Sequence, residues 1–176
     1  IGYVDRMVEV LDTNLGKDVI ICNFEMEFLG SPDRIVKKHF GEFRQVYKSP
    51  GLWRFLFKRE FIENVKFDEF TMGEDQLFLE RLDLLNSKYH FSDTIIYSYV
   101  VNRVGSLTAS KKVTDLKKVV VEGYKILFNT TQKSFKFVKS LLIRQCLTLI
   151  RYGNIDEKRH GIKYLFRTLI TRFKKI

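Results

Sequence analysis

The chain has 176 residues, of which 45% are hydrophobic and 14% aromatic, so its composition excludes a disordered protein. This length accommodates one domain with a hydrophobic core, or one domain with an appendage. The formal net charge of +10 is unevenly distributed, because residues 111–176 hold 17 basic and 4 acidic side chains while residues 1–110 hold 14 and 17. The sequence therefore predicts two parts of different charge, divided near Ser110.

The cysteines and the lengths of the apolar runs indicate the cellular compartment of the protein. Cys22 and Cys146 lie far apart in apolar runs, which predicts two buried thiols in a reducing compartment and no disulfide. Arg144 interrupts the apolar run 141–143, and no uncharged apolar stretch reaches the roughly 18 residues of a spanning helix. Since no charged-then-apolar leader opens the chain, we expect a cytoplasmic protein, at most peripheral to the inner face of the membrane.

The first 33 residues predict a helix, a strand and a turn. Apolar side chains recur at helical spacing at Val4, Met7, Val8, Leu11 and Leu15. Residues 18–28 begin with a continuous apolar run and then alternate, which is typical of a strand buried on both faces at its start. Glycine and proline predict a turn at 30–33.

The next segments are shorter and less regular. Residues 34–49 show no clear period and are predicted to be a connector or surface hairpin. Residues 53–58 alternate between aromatic and other side chains, which is a strand-like pattern, and 60–64 are predicted to form one or two helical turns. After Gly73, apolar residues at helical spacing predict a helix that begins with Glu74 and runs through Leu85.

The remaining chain is predicted to be two strands, a loop and three helices. Residues 89–93 and 94–101 are aromatic and β-branched, which favours strands. A polar loop over 102–110 follows. Helical spacing of apolar residues then predicts three helices, at residues 115–128, 135–152 and 157–173.

Several short segments follow one another in a characteristic order. They are Leu52-Trp53-Arg54-Phe55-Leu56-Phe57-Lys58-Arg59-Glu60-Phe61-Ile62, Val65-Lys66-Phe67-Asp68-Glu69, Gly73-Glu74-Asp75, Ile96-Tyr97-Ser98-Tyr99 and Asn102-Arg103-Val104-Gly105-Ser106-Leu107-Thr108. In this order and spacing the chain resembles, over about residues 3–110, the second half of family-two glycosyltransferases of the GT-A fold. These inverting enzymes assemble bacterial surface polysaccharides.

The resemblance implies an α/β fold with a partial GT-A sheet and flanking helices over 1–110, followed by an all-helical basic extension over 111–176. The family's opening strand, nucleotide pocket and Asp-x-Asp metal ligands have no counterpart here, so we expect the acceptor-side half of such an enzyme. A divalent metal, Mn²⁺ or Mg²⁺, is implied for the intact enzyme, with its ligands outside these residues. These 176 residues alone are expected to lack transferase activity.

The implied reaction moves a sugar from a nucleotide-sugar donor to a hydroxyl of a growing cell-surface polysaccharide or lipid-linked acceptor. By resemblance, Asp75 is the general base that takes the hydroxyl proton, and its neighbour Glu74 contacts the acceptor or orients the site. The alternative is that both acids only stabilise a helix start, where the helix dipole and unpaired amides favour negative charge.

Five further side chains are expected to bind substrate. Trp53 is expected to stack on a sugar, and Arg54 and Lys58 to meet the diphosphate or an acidic acceptor. Arg103 and Ser106 lie in a loop that in the resembled enzymes closes over the donor diphosphate. The alternatives are a core tryptophan, cations on the solvated face of a strand, and an exposed loop cation. The three histidines lack ligand spacing, so no protein metal site is predicted.

Two other classes of function stay open. Basic amphipathic helices over 111–176 also suit a non-catalytic module that binds an anionic membrane surface or nucleic acid. The alternative for these helices is that they pack on the domain and their lysines are solvated. The chain contains no nucleic-acid recognition motif, so nucleic acid is not among the expected partners. The third class is a structural or interaction domain. A sheet with an open edge is also expected to favour pairing with a second copy, as a homodimer.

Overall fold

The computed structural model describes residues 2–70, 72–101 and 115–172. These residues form an α/β fold with seven α-helices and a mixed four-stranded sheet, which confirms the predicted α/β class. The partial GT-A sheet and the basic helical extension stay predictions. They divide into two compact units. The sheet unit contains residues 2–46, 51–64 and 87–101, and the helical unit contains 47–50, 65–70, 72–86 and 115–172. The predicted domain division at Ser110 rests on charge and resemblance and stays a prediction.

The sheet unit is built around strand β1, Val19–Phe28. Its neighbours are β2 at Ser31–Lys38, β3 at Phe55–Phe57 and β4 at Tyr89–Val101. β2 and β3 run antiparallel to β1, and β4 runs parallel to it. The apolar start of β1 is buried because it has a strand on each side.

The core of the sheet unit joins this strand to the first helix. Helix α1, Tyr3–Thr13, packs against β4. Its buried Val10 meets Ile20, Cys22 and Ile96 in one hydrophobic cluster. Two short helices, α2 at Phe43–Val46 and α3 at Arg59–Ile62, complete the unit.

Three boundaries in this unit differ from the predictions. The predicted turn at 30–33 is shorter, because β2 begins at Ser31 and forms a hairpin with β1. Trp53 and Arg54 belong to a 3₁₀ helix, Leu52–Arg54, and only the following residues are a strand. β4 is one strand where two were predicted, because its pairing with β1 shifts register near Asn23 and continues.

The helical unit contains α4 at Glu74–Arg81, α5 at Leu116–Asn129, α6 at Gln132–Tyr152 and α7 at Ile155–Ile170. The three predicted C-terminal helices are confirmed as elements. α7 begins earlier than predicted because Asn154 accepts hydrogen bonds from the amides of Asp156 and Glu157. α4 ends at Arg81, short of the predicted Leu85, and Leu84–Asn86 form a 3₁₀ turn.

Both cysteines are buried free thiols, as predicted. Burial raises the pKa of each thiol to about 12. Among the helices of the described residues, none is long and apolar enough to cross a membrane.

Candidate functional site

The acid pair begins helix α4, and the residue before it fixes where that helix starts. Gly73 has φ +89°, in the left-handed region that favours glycine. A Cβ atom at this position would lie 3.0 Å from Cγ1 of Val119 and 3.3 Å from Cδ2 of Leu116, both on α5. The carbonyl of Gly73 accepts hydrogen bonds of 3.1 Å from the amides of Gln76 and Leu77. Backbone conformation and close packing therefore both require glycine, and they hold the first turn of α4 against α5.

Glu74 and Asp75 occupy that first turn and are both half-buried. Oε2 of Glu74 is buried and has no hydrogen-bond partner among the described residues. Burial raises the pKa of the Glu74 carboxyl; a hydrogen bond from its own amide opposes this shift, and the charge of Asp75 adds to it. The first acid of the pair is thus driven toward its protonated form while its neighbour is a second carboxyl one residue away. A carboxyl whose pKa is raised, with a second carboxyl beside it, is an arrangement that acid–base chemistry can use.

The same contacts also serve the structural alternative. A carboxylate that accepts a hydrogen bond from an amide in the first helical turn stabilises the helix start, as does any negative charge there. Helix stabilisation does not, however, require burial of an oxygen without a partner, because a solvated carboxylate near the N-terminus already stabilises a helix. The burial of Glu74 is therefore the feature that the capping interpretation leaves unexplained.

Trp53 lies in the sheet unit within an aromatic cluster. Its ring is stacked on Tyr97 with centroids 5.2 Å apart and an interplanar angle of 3°. It meets Phe24 edge-on at 4.5 Å and Tyr99 at 5.8 Å. A Cβ on Gly51 would lie 2.6 Å from the indole, so the ring also covers that glycine. Trp53 stays half-buried and its role in sugar stacking stays a prediction, with one ring face already covered by Tyr97.

Arg54 points into the sheet unit and is 0% exposed. Its guanidinium carbon lies 3.7 Å from the ring centroid of Phe40 and 4.8 Å from that of Phe55, which is cation–π geometry. Burial lowers its pKa to about 9, and the nearby Cys22 opposes this shift. The interpretation of Arg54 as a cation on a solvated strand face is therefore wrong, because aromatic rings enclose it. Lys58 is exposed, and its Nζ lies 3.6 Å from Oε2 of Glu60.

The predicted site residues fall into three groups. Trp53 and Arg54 are neighbours in one 3₁₀ helix of the sheet unit, which also contains Lys58. Glu74 and Asp75 are neighbours in the helical unit. Arg103 and Ser106 lie outside the described residues. Within the described ranges, no group of three or more histidine, cysteine or acidic side chains could hold a metal ion.

The sequence did not predict two cavities of the helical unit. One, of about 440 Å³, is lined by Glu80, Arg81, Asp83 and Lys125 among others. Most of its charges have partners, since Arg81 binds Asp68 at 2.6 Å, Asp83 accepts hydrogen bonds from Asn86 and Thr131, and Lys125 pairs with Glu122. Because most of the charged side chains are already paired within the protein, this cavity offers few charges that a ligand could neutralise.

The second cavity, of about 410 Å³, is lined by Lys48, Arg144, Arg151, Ile143 and Leu147 among others. Its three cations have no acidic neighbour in the lining, and burial lowers the pKa of Arg144. The signal for this cavity was present in α6, which has two arginines seven residues apart and no acidic residue. It was missed because Lys48 comes from a segment predicted to be a connector.

Comparison of the chain with protein families gives no match. Comparison with curated proteins gives none either.

Proposed function

We propose that the protein is an inverting glycosyltransferase that uses a nucleotide-sugar donor. The acceptor is a hydroxyl of a growing cell-surface polysaccharide or of a lipid-linked saccharide. The observation that supports this proposal best is the half-buried acid pair at the start of α4, where Gly73 fixes the position of the first turn.

In the proposed reaction, a carboxylate oxygen of Asp75 takes the proton of the acceptor hydroxyl while that hydroxyl oxygen attacks the anomeric carbon. The bond from the anomeric carbon to the nucleotide diphosphate breaks on the opposite side, so the configuration inverts. Glu74, whose pKa is raised, holds a proton more readily and donates it as a hydrogen bond to an acceptor oxygen. A fixed helix start serves this chemistry because the base keeps its distance from the attacking oxygen.

The proposed function also implies a divalent metal and two substrates. The divalent metal expected in the intact enzyme finds no set of ligands among the described residues, so no step of this mechanism passes through it. The partners are the nucleotide sugar and the saccharide acceptor, and a lipid-linked acceptor places the enzyme at the inner face of the membrane.

The test is a transfer assay on the full-length protein that carries these residues, with a panel of nucleotide sugars and Mn²⁺ or Mg²⁺. Asp75→Asn is expected to lower kcat by about 100-fold or more, the magnitude of a lost general base. Glu74→Gln, which removes the same charge one residue away, is the matched control and is expected to lower kcat by less than about 10-fold. If Asp75→Asn kept wild-type activity, the general-base role would be excluded and the acid pair would only stabilise the start of the helix.

A further inference from the structure

Helix α7 exposes a stripe of large apolar side chains. Five of them are more than half exposed, namely Ile155 67%, Ile162 57%, Phe166 65%, Leu169 55% and Ile170 61%. Successive members are separated by seven, four, three and one residues, so all five lie on one side of the helix at 100° per residue. We call this surface the α7 stripe.

The α7 stripe is distinct from the face that packs in the helical unit. The buried residues of the helix are Glu157, Gly161 and Thr168. They lie on the side nearly opposite Ile162 and Phe166 when positions are projected along the helix axis. Gly161 approaches α6 closely, since a Cβ there would lie 3.0 Å from the carbonyl oxygen of Cys146. Within the described residues, the packing of this helix therefore leaves one apolar side exposed.

Cations border the α7 stripe. Lys158 flanks it on one side, and Lys163 and Arg167 flank it on the other. Arg159 projects within the stripe, between Phe166 and Ile170, and its guanidinium lies 4.0 Å from the carboxylate of Asp156. All four cations are exposed, and Asp156 is the one acid exposed on this helix. An apolar stripe bordered by lysine and arginine is the pattern of a helix that lies in the plane of a membrane surface.

This charge distribution selects among the possible occupants of the stripe. A second copy of the helix on the same face would bring Lys163 and Arg167 against their own equivalents, and like charges oppose such an interface. A nucleic acid would satisfy the cations but would leave the aliphatic side chains in water. An anionic bilayer offers acyl chains to the apolar side chains and phosphates to the cations at once.

We propose that the α7 stripe inserts into the surface of an anionic lipid bilayer and holds the protein there. Ile162 and Phe166, at the centre of the stripe, enter the acyl boundary, and Lys163 and Arg167 contact lipid phosphates. This inference rests on the proposed function only for its purpose, which is to bring the site to a lipid-linked acceptor. Vesicle binding itself involves no transfer.

The experiment is sedimentation of the full-length protein with vesicles of phosphatidylcholine containing 30% phosphatidylglycerol. Each exposed apolar side chain is expected to contribute about tenfold to partitioning, so Ile162→Ser with Phe166→Ser weakens binding by about 100-fold. Lys163→Gln with Arg167→Gln weakens binding by about 25-fold, since each cation contributes about fivefold at an anionic surface. On pure phosphatidylcholine, the cation variant is expected to bind like the wild type.

The matched control is Val8→Ser with Leu11→Ser, because these side chains are 51% and 44% exposed on α1. It is expected to change binding by less than about twofold. All substituted side chains are exposed, so circular dichroism should show unchanged helix content. Asp75→Asn is expected to bind vesicles like the wild type, so loss of transfer and loss of binding are separable.

Three results would overturn the proposal. The first is vesicle binding that survives Ile162→Ser with Phe166→Ser. The second is a wild-type dimer that the same substitutions turn into a monomer, which would make a second copy the occupant. The third is absence of vesicle binding together with salt-sensitive binding to nucleic acid.

Discussion

Glu80 is a carboxylic acid in the interior of the helical unit, and its replacement by glutamine should make stability less dependent on pH. The side chain is 3% exposed, and neither carboxylate oxygen has a hydrogen-bond partner among the described residues. Oε2 lies 2.6 Å from the place where a Cβ on Gly123 would be, so α5 covers the carboxyl closely. The adjacent Arg81 is engaged with Asp68 at 2.6 Å. The charged form of Glu80 therefore has little compensation for its burial.

The sign of the effect follows from the direction of the pKa shift. Burial raises the pKa of Glu80 well above its ordinary 4.5, and the charge of Arg81 opposes this only in part. A raised acid pKa means that the stability which Glu80 contributes is fully present below about pH 4.5 and is lost as the pH rises toward the folded-state pKa. The loss is about 1.4 kcal/mol for each pH unit inside that window. Glutamine has the same shape and does not titrate, so the free energy of unfolding of Glu80→Gln should not show this decrease with pH.

The assay is urea unfolding of wild type and Glu80→Gln at half-unit steps from pH 4.5 to 8. Above pH 4.5 the stability advantage of the variant should grow as the pH rises, by up to about 1.4 kcal/mol for each pH unit, which corresponds to about 3–6 °C in Tm for a chain of this size. Other titrating groups are common to both proteins and cancel. Glu122→Gln, at a partly exposed carboxyl paired with Lys125, is the control, and its offset should stay below about 0.5 kcal/mol at every pH. Parallel pH curves for wild type and Glu80→Gln would refute the reasoning.

Two further predictions concern glycine and cysteine. Gly73→Ala should destabilise by about 2–3 kcal/mol, because it adds contact with Val119 to the cost of a left-handed backbone. Gly30→Ala, at φ +87° in open space, should lose only the backbone part, about 1 kcal/mol, and equal losses would exclude a packing role. Buried Cys22 and Cys146, with pKa raised to about 12, should react with Ellman's reagent at pH 8 about 100-fold more slowly in native than in urea-unfolded protein. Prompt labelling of the native protein would show that a thiol is accessible.

The elements that sequence reasoning predicted are those whose apolar pattern is local. α1, β1 and the three C-terminal helices each carry their own periodic stripe. The 3₁₀ helix at Trp53 and Arg54 was missed because alternation of aromatic and charged residues also fits a strand. Burial of Arg54 against Phe40 depends on residues 14 positions away, and no local pattern reports it. β4 was divided because Ser92-Asp93-Thr94 has the composition of a turn, whereas Asn23 of β1 donates to the carbonyl of Asp93 at 3.0 Å.

For the candidate site, the location of the acid pair was predictable and its surroundings were not. Gly73 followed by two acids indicates a helix start from sequence alone. The packing of that glycine against α5 involves residues more than 40 positions away, as does the enclosure of Glu80. Glu80 beside Arg81 has the sequence pattern of a solvated face, and only the helices that follow later in the chain bury it.

The pairing of β1 with β4 has a consequence for synthesis of the chain. Asn23 and Asp93, which hydrogen-bond across these strands, are 70 residues apart. At a translation rate of about 5–20 residues per second, β1 emerges roughly 4–14 seconds before its parallel partner. During this interval the apolar start of β1 has no parallel neighbour, although its antiparallel partner β3 emerges about halfway through the interval, and the hairpin with β2 can pair with its far end. The length of the segment between β1 and β4 therefore sets how long the apolar strand β1 lacks its parallel partner during translation. Rare codons between residues 28 and 89 would lengthen this time.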